Sequence, residues 1–466
     1  MSNVVIEWLT SQFGERVLTD QDSLEHYGKD WTKKYTPAPT AIVFPKTTEE
    51  VQALVRYANE QKLALVPSGG RTGLSGGAVA ANGEIVVAFD KMNNIIDFDA
   101  GDRLVQCQAG VITEQLQRFA EDNDLYYPVD FASAGSSQIG GNLSTNAGGI
   151  KVIRWGMSRD WVSGLTVVTG KGDILELNRG LVKNNTGYDL KQLFIAGEGT
   201  LGFITEATMR LTRKPKNLQV MVLGLSHFDN VMDVLKTFSK TIEITAFEFF
   251  SHQAMSHVLA HGGVAAPFAE DAPYYALLEY EVVSEAVEEE AMAQFEQAVE
   301  AGWVVDGVVS QSEAQAASLW RLREGISESI APHTPYKNDI AVRPSRVPEF
   351  LKRIDEVVSA EYPDFEIIWF GHIGDGNLHL NILKPVDLDK DTFFSRCERV
   401  NTMVFDIVKD CGGTISAEHG VGLLKQPYLP YSRSAEEIAY MRAIKAAFDP
   451  NNVMNPGKLL AAGEAV

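Results

Sequence analysis

Two short stretches concentrate side chains able to bind a metal or move a proton. Residues 371–381 read GHIGDGNLHLN, and residues 416–420 read SAEHG. Between them they hold three of the nine histidines, His372, His379 and His419, with Glu418 and the amides Asn377 and Asn381. Two imidazoles and a carboxylate can hold a divalent ion and leave a coordination position open to a substrate. A further histidine beside that carboxylate can serve as a base near neutral pH.

Spacing constrains how these groups could meet. His372 and His379 are seven positions apart, so on one continuous strand they would face opposite sides. Gly374-Asp375-Gly376 breaks the strand and allows a bend. Beyond it Asn377, His379 and Asn381 alternate onto one face. Spacing alone leaves two readings open, a metal pair or two hydrogen-bonded histidines of a hairpin. In an extended stretch His419 points away from Glu418, which leaves it open as a base or as a buried structural histidine.

The first half of the chain carries different chemistry. Residues 67–77 read PSGGRTGLSGG, 135–149 read GSSQIGGNLSTNAGG, and 197–205 read GEGTLGFIT. Glycine lets a backbone approach a ligand and aim N–H groups at phosphate oxygens, and Ser, Thr and Asn add short donors. One such loop is an ordinary tight turn; three together favour a diphosphate ligand. Residues 197–202 match GxGxxG, but that dinucleotide fingerprint needs a helix directly after it. Here FITEATMRL is alternating and β-branched and reads as a strand, so the match does not support a nicotinamide cofactor.

These groups need elements to position them. Strands are expected at 41–44, 63–66, 85–89, 104–108 and 165–169. Thr47 and Glu50 form a capping box, followed by a helix burying Val51, Leu54, Val55 and Ala58. The pattern changes near Lys214-Pro215-Lys216. Beyond it strands at 220–225, 275–282 and 304–309 alternate with helices near 231–238, 286–298 and 313–330, a split β-α-β pattern. Residues 367–370 and 378–383 form a hairpin. The chain ends in a helical return from about Lys425 to Asn455-Pro456-Gly457-Lys458. The expected domains are 1–214, 215–424 and a returning segment 425–466. Arg323 and Ser327, four apart on the last helix, would share a face, with Lys337 following.

Composition narrows the class. The 466 residues are 45% apolar and 22% charged, enough for two or three globular domains. Net charge is −21, which disfavours nucleic acid and anionic membrane as general partners. An anionic substrate would need a local basic pocket. The three cysteines, Cys107, Cys397 and Cys411, form no CxxC and fit a reducing compartment. No signal peptide is evident, and no apolar run nears the ~20 residues of a membrane span. A cytoplasmic protein without an integral membrane segment is expected.

The three glycine-rich loops resemble the FAD-binding domain of the vanillyl-alcohol oxidase and p-cresol methylhydroxylase superfamily. The second half is similar to the C-terminal domain of FAD-linked oxidases that dehydrogenate D-2-hydroxy acids. The resemblance spans nearly the whole chain. It implies an α+β fold, with an FAD-binding domain of two α+β subdomains and a substrate domain built on an antiparallel, ferredoxin-like sheet. The FAD contacts it implies are Pro67, Ser68, Gly69, Gly70, Arg71, Thr72 and Gly73; Ser136, Gly140, Asn142, Asn146 and Gly148; Gly199, Gly202 and Ile204; and Asn455. Some relatives attach the flavin to a histidine of the first loop. Here Arg71 follows Gly69-Gly70, and His26 is the only histidine before Lys214, so non-covalent FAD is expected.

The same resemblance makes His372, His379 and Glu418 ligands of a divalent metal, Zn2+ first, with Mn2+ or Co2+ as alternatives. It makes His419 the base, and Arg323, Ser327, Lys337 and Asn381 the substrate contacts. Relatives commonly carry threonine at the position of Ser327, which leaves substrate range open. D-2-hydroxyglutarate is the first expected substrate; D-lactate, D-malate or glycolate are the alternatives. An electron-transfer flavoprotein or a quinone is the expected acceptor, and a homodimer the expected assembly. A metal-dependent hydrolase using His372, His379 and Glu418, and a flavin subunit of a larger electron-transfer complex, are the competing readings.

Overall fold

The structure is a computed structural model that describes residues 2–32 and 34–461. The chain divides into two compact units: Met1–Gly148, Met157–Lys214 and Glu418–Val466 form unit 1, and Gly149–Gly156 with Pro215–Ala417 form unit 2. Both mix helices with sheets, and the expected α+β class holds.

Unit 1 contains a four-stranded sheet in the order Val17–Leu18, Ala41–Val43, Ile85–Ala88, Leu65–Ser68. Its last three strands are parallel. The helix Thr48–Gln61 makes the crossover and buries Val51, Leu54, Val55 and Ala58, the face its periodicity predicts. Burying each large apolar side chain of that face is worth roughly 1.5–3 kcal/mol. Only half of the expected capping box forms. Thr47 Oγ1 accepts the Glu50 N–H at 3.2 Å, but the Glu50 carboxylate turns to the Lys46 N–H and to Arg16. A full charge offers more to a carboxylate than a backbone amide does.

A second, antiparallel sheet of unit 1 runs Ile95–Asp99, Leu104–Gln108, Gly202–Arg210, Val162–Thr169, Ile174–Leu177. One apolar core joins it to the parallel sheet, with Val43, Leu65, Val105, Val167 and Ile204 among its members. The strand expected after the GxGxxG match is Gly202–Arg210, as its alternation predicts. The C-terminal helix Ala435–Phe448 is followed by a short parallel bridge from Met454 to Leu65.

Unit 2 is built on a seven-stranded antiparallel sheet in the order Val304–Val309, Leu218–Leu225, Tyr274–Glu281, Ile244–Ser251, Ile367–Gly371, Asn377–Ile382, Tyr336–Ala341. One face carries Val220, Val222, Leu277, Phe250, Ile368 and Phe370. Against it pack Met255 and Val258 of His252–His261, and Leu319, Trp320 and Leu322 of Glu313–Glu324.

The single helix expected over 313–330 is two, Glu313–Glu324 and Ile326–Ser329, divided at Gly325. A Cβ on Gly325 would sit 2.9 Å from the Arg321 carbonyl of its own chain turn and at ordinary contact distance, 3.4 Å, from Val258. Arg323 is buried and Ser327 exposed, so the two do not share the face that continuous helical spacing implies.

Candidate active site

The hairpin forms as its sequence requires. After Ile367–Gly371 the chain makes a 3-10 turn, Ile373–Asp375, and re-enters the sheet as Asn377–Ile382. Gly376 has φ +88°, and a Cβ there would lie 1.9 Å from Val342 O. The bend therefore needs a residue without a side chain. It brings the rings of His372 and His379 to a centroid separation of 5.3 Å, nearly perpendicular. Their candidate ligand nitrogens come within 4.8 Å of each other.

Each histidine faces a carboxylate at Nδ1. His372 Nδ1 lies 2.8 and 2.9 Å from the two oxygens of Glu248, and His379 Nδ1 lies 3.9 Å from Asp339 Oδ1. Asp339 is the cross-strand neighbour of His379 and also accepts Asn377 Nδ2 at 3.0 Å. At hydrogen-bond distance the Glu248 carboxylate favours a proton on His372 Nδ1 and leaves that ring's lone pair on Nε2, the arrangement typical of metal-binding histidines; the 3.9 Å separation at His379 does not set its tautomer. The donor chemistry of unit 2 therefore fits a divalent ion. Glu418 and His419 begin the last segment of unit 1, directly after Ala417, whose N–H donates to Asp339 O at 3.3 Å within unit 2.

Arg323 enters the same face of the sheet. Its guanidinium lies 4.7 Å over the Phe370 ring, and Nη2 makes an ion-pair contact of 2.8 Å with Glu248 Oε2, outside hydrogen-bond alignment. Its Nε is buried without a hydrogen-bond acceptor, and so is Nδ2 of Asn381. Buried donors are normally satisfied, and two left over on one sheet face fit an acceptor-rich ligand such as a carboxylate. Lys337 pairs with Asn381 across the strands and is exposed. Ser327 is exposed on its short helix.

The same face holds a second polar cluster. Lys151 Nζ lies 2.5 Å from Glu279 Oε1, and Glu279 also accepts Thr245 Oγ1 at 2.5 Å and Trp320 Nε1 at 3.0 Å. Sequence reasoning missed Glu248, Asp339 and this cluster. The available signal was a lone glutamate within ITAFEFFS, a strand otherwise too apolar to place an acid on a solvated face.

In unit 1 the three glycine-rich loops converge. A Cβ on Gly70 would lie 2.1 Å from Ser136 O, joining the first loop to the second. A Cβ on Gly199, at φ +69°, would lie 2.7 Å from Pro67 Cγ, joining the third to the first. Asn455 Nδ2 donates to Gly77 O at 2.9 Å and Glu198 O at 2.8 Å, so the returning segment ties first and third loops together. Ser68 Oγ and Gln138 Oε1 are buried without a protein partner. Backbone this close, with small donors and orphaned polar atoms, fits a phosphate-bearing cofactor.

The other expected contacts are placed as follows. Arg71 Nη1 donates to Gly69 O at 2.8 Å, and its guanidinium pairs with Asp90 at 3.3 Å and lies 4.6 Å over the Tyr27 ring. Thr72 follows it in the loop, and Gly73 lies beside Asp30, whose carboxyl burial pushes upward. Gly140 packs on Ala109, and Asn142 Nδ2 donates to Thr113 Oγ1 at 2.7 Å. Asn146 caps its helix at φ +53° and accepts the Arg159 N–H at 3.0 Å. Gly148 ends the unit 1 part of the loop. Gly202 opens its strand against Val168 O, and Ile204 is a core residue opposite Val167.

Comparisons with known proteins identify the family. The FAD-binding domain model matches residues 39–178, and the model for the C-terminal domain of FAD-linked oxidases matches residues 214–459. The chain belongs to the FAD-linked oxidase family, and it is an oxidoreductase with an FAD-binding domain. It is 65% identical over 447 residues, 96% of each chain, to a D-2-hydroxyglutarate dehydrogenase of Stutzerimonas stutzeri. It is 54% identical over 450 residues to one of Xanthomonas citri, covering 97% of this chain and 95% of that protein. The crystal structure of p-cresol methylhydroxylase with substrate bound shares the fold, at a TM-score of 0.78 and 17% identity over 100% of this chain and 98% of that one. The GxGxxG match thus lies in a flavin fold. Nothing among these relatives supports the hydrolase reading. Among the described residues no helix is long and apolar enough to cross a membrane.

Proposed function

We propose that this chain oxidises D-2-hydroxyglutarate to 2-oxoglutarate, with FAD held non-covalently by unit 1 and a divalent metal, Zn2+ first and Mn2+ or Co2+ as alternatives, held by His372, His379 and Glu418. The observation that carries the reading is the His372–His379 pair, with Glu248 hydrogen-bonded at His372 Nδ1, in a chain with an FAD-binding domain. The relatives' shared name supports the substrate.

FAD supplies a hydride acceptor when bound, and the metal supplies Lewis-acid polarisation of the substrate hydroxyl. The chain's residues do the rest. Arg323 offers its buried guanidinium to one substrate carboxylate, and Asn381 its unsatisfied amide N–H. Lys337, exposed and paired with Asn381 across the strands, would take the second carboxylate of a diacid. His419 takes the hydroxyl proton as the Cα–H bond breaks.

D-lactate, D-malate and glycolate carry the reactive carboxylate but lack a second one at the same distance. D-lactate and glycolate offer Lys337 no second carboxylate and D-malate holds its own one carbon nearer, so they should react more slowly. The electron acceptor is an electron-transfer flavoprotein or a quinone, and the assembly a homodimer in the cytoplasm. Steady-state kinetics with the D and L isomers of 2-hydroxyglutarate, an artificial acceptor and added chelator test the reading. Activity on the D isomer alone, lost with chelator and restored by metal, is expected. Equal activity on D-lactate, or full activity in chelator, overturns it.

A further inference from the structure

We infer that Glu248 is a positioning residue that binds the metal-bearing histidine and the substrate-bearing arginine into one unit; the inference rests on the metal reading above. Glu248 is fully buried in the middle of the strand Ile244–Ser251. Both of its oxygens lie within 2.9 Å of His372 Nδ1, and Oε2 lies 2.8 Å from Arg323 Nη2. Its neighbours along the strand are apolar, and Phe247, Phe249 and Phe250 are fully buried.

An ionised carboxylate is expensive to bury unless its charge and lone pairs are met. Arg323 supplies the charge and the imidazole N–H a hydrogen bond. The result works in two directions. Toward His372, the carboxylate fixes ring orientation and the Nδ1–H tautomer, so that Nε2 is the ligating atom, and it raises the basicity of that atom. Toward Arg323, it holds the guanidinium over the Phe370 ring while Nε remains without a protein acceptor. The substrate carboxylate and the metal would therefore share one anionic anchor.

The test compares wild type with Glu248→Gln, which keeps the shape and one acceptor oxygen but removes the charge. Zinc affinity is measured by competition with a chromogenic chelator, and KM and kcat for D-2-hydroxyglutarate are measured at saturating zinc. FAD content and melting temperature serve as controls for folding. Zinc binding about 10–100-fold weaker in the variant is expected, with KM raised and kcat largely restored by excess zinc. Unchanged zinc affinity and KM overturn the inference while leaving the metal reading intact. A wild type that binds no zinc, manganese or cobalt and ignores chelator overturns the metal reading itself.

A purely structural role would lower melting temperature and FAD content without moving zinc affinity, which also counts against the inference. Should Glu248→Gln fail to fold, Glu248→Asp keeps the charge on a shorter arm. Nitrogen-15 spectra of histidine-labelled wild type then decide the tautomer. A ligating His372 bearing its proton on Nδ1 supports the inference, and one bearing it on Nε2 contradicts it.

Discussion

Glu198 holds Gly422: its carboxylate accepts the N–H of Gly422 and that of Val421, each at 2.7 Å, directly downstream of Glu418 and His419. Ser75 Oγ adds a bond to Gly420 O at 2.9 Å. The segment proposed to carry a metal ligand and the base is thus tied by the third and first glycine-rich loops of unit 1. Burial pushes the Glu198 carboxyl above its ordinary range, while the two backbone donors and Lys425 pull it back.

Glu198→Ala should leave two backbone donors unpaired, one of them buried, at a cost of roughly 1–3 kcal/mol for a buried group. Melting temperature should fall. The rate of flavin reduction should fall while KM changes little, because the residues proposed to grip substrate belong to unit 2. Thermal melts and stopped-flow reduction check this. A stable variant with a wild-type rate would show the clasp is not needed.

His419→Ala should lose about 10²–10⁴-fold in the rate of flavin reduction, the usual range for removing a positioned base. FAD should remain bound. Near-normal reduction, followed at the flavin band, would sink the base assignment.

Gly70→Ala should yield protein depleted in FAD, because the new Cβ would meet the Ser136 carbonyl backbone at 2.1 Å and separate the first two loops. The absorbance ratio of flavin to protein after purification and reconstitution reads this directly. A variant retaining full flavin would show that this close approach does not shape the cofactor site.

Acid should expose the Arg16–Glu50 pair. The Arg16 guanidinium holds the Glu50 carboxyl below its ordinary range, opposed by burial and helped by the Lys46 N–H. A depressed folded value means the stabilisation is full above the unfolded value of about 4.3 and is lost as pH falls through the folded one. Glu50→Gln should therefore cost roughly 0.2–1 kcal/mol at pH 7, and the two proteins should converge as pH falls through the depressed folded value. Melting curves across that range check the convergence.

Much of this was legible in the sequence because local chemistry dictates it. Gly374-Asp375-Gly376 announces the bend, Asn377, His379 and Asn381 announce their shared face, and the glycine-rich loops announce a cradle. Alternation after Gly202 separates this loop from a dinucleotide fingerprint. The rest depended on long-range pairing. Glu248 meets His372 across 124 positions, and Glu198 meets Val421 across 223, which no local pattern encodes. The Arg323–Ser327 spacing misled because the helix divides at Gly325, between the two residues. Glu50 misled because Arg16, from the 3-10 turn Gly14–Arg16 far back in the sequence, competed for its carboxylate.

The most direct test of the central claim is an anaerobic absorbance titration of the purified holoprotein with D-2-hydroxyglutarate, repeated after chelation and after metal is restored. The account predicts a flavin band that bleaches with the D isomer, stays unbleached after chelation, and bleaches again once zinc is returned. A flavin band that bleaches equally well in chelator would contradict the metal assignment. A band indifferent to D-2-hydroxyglutarate but bleached by D-lactate would contradict the substrate.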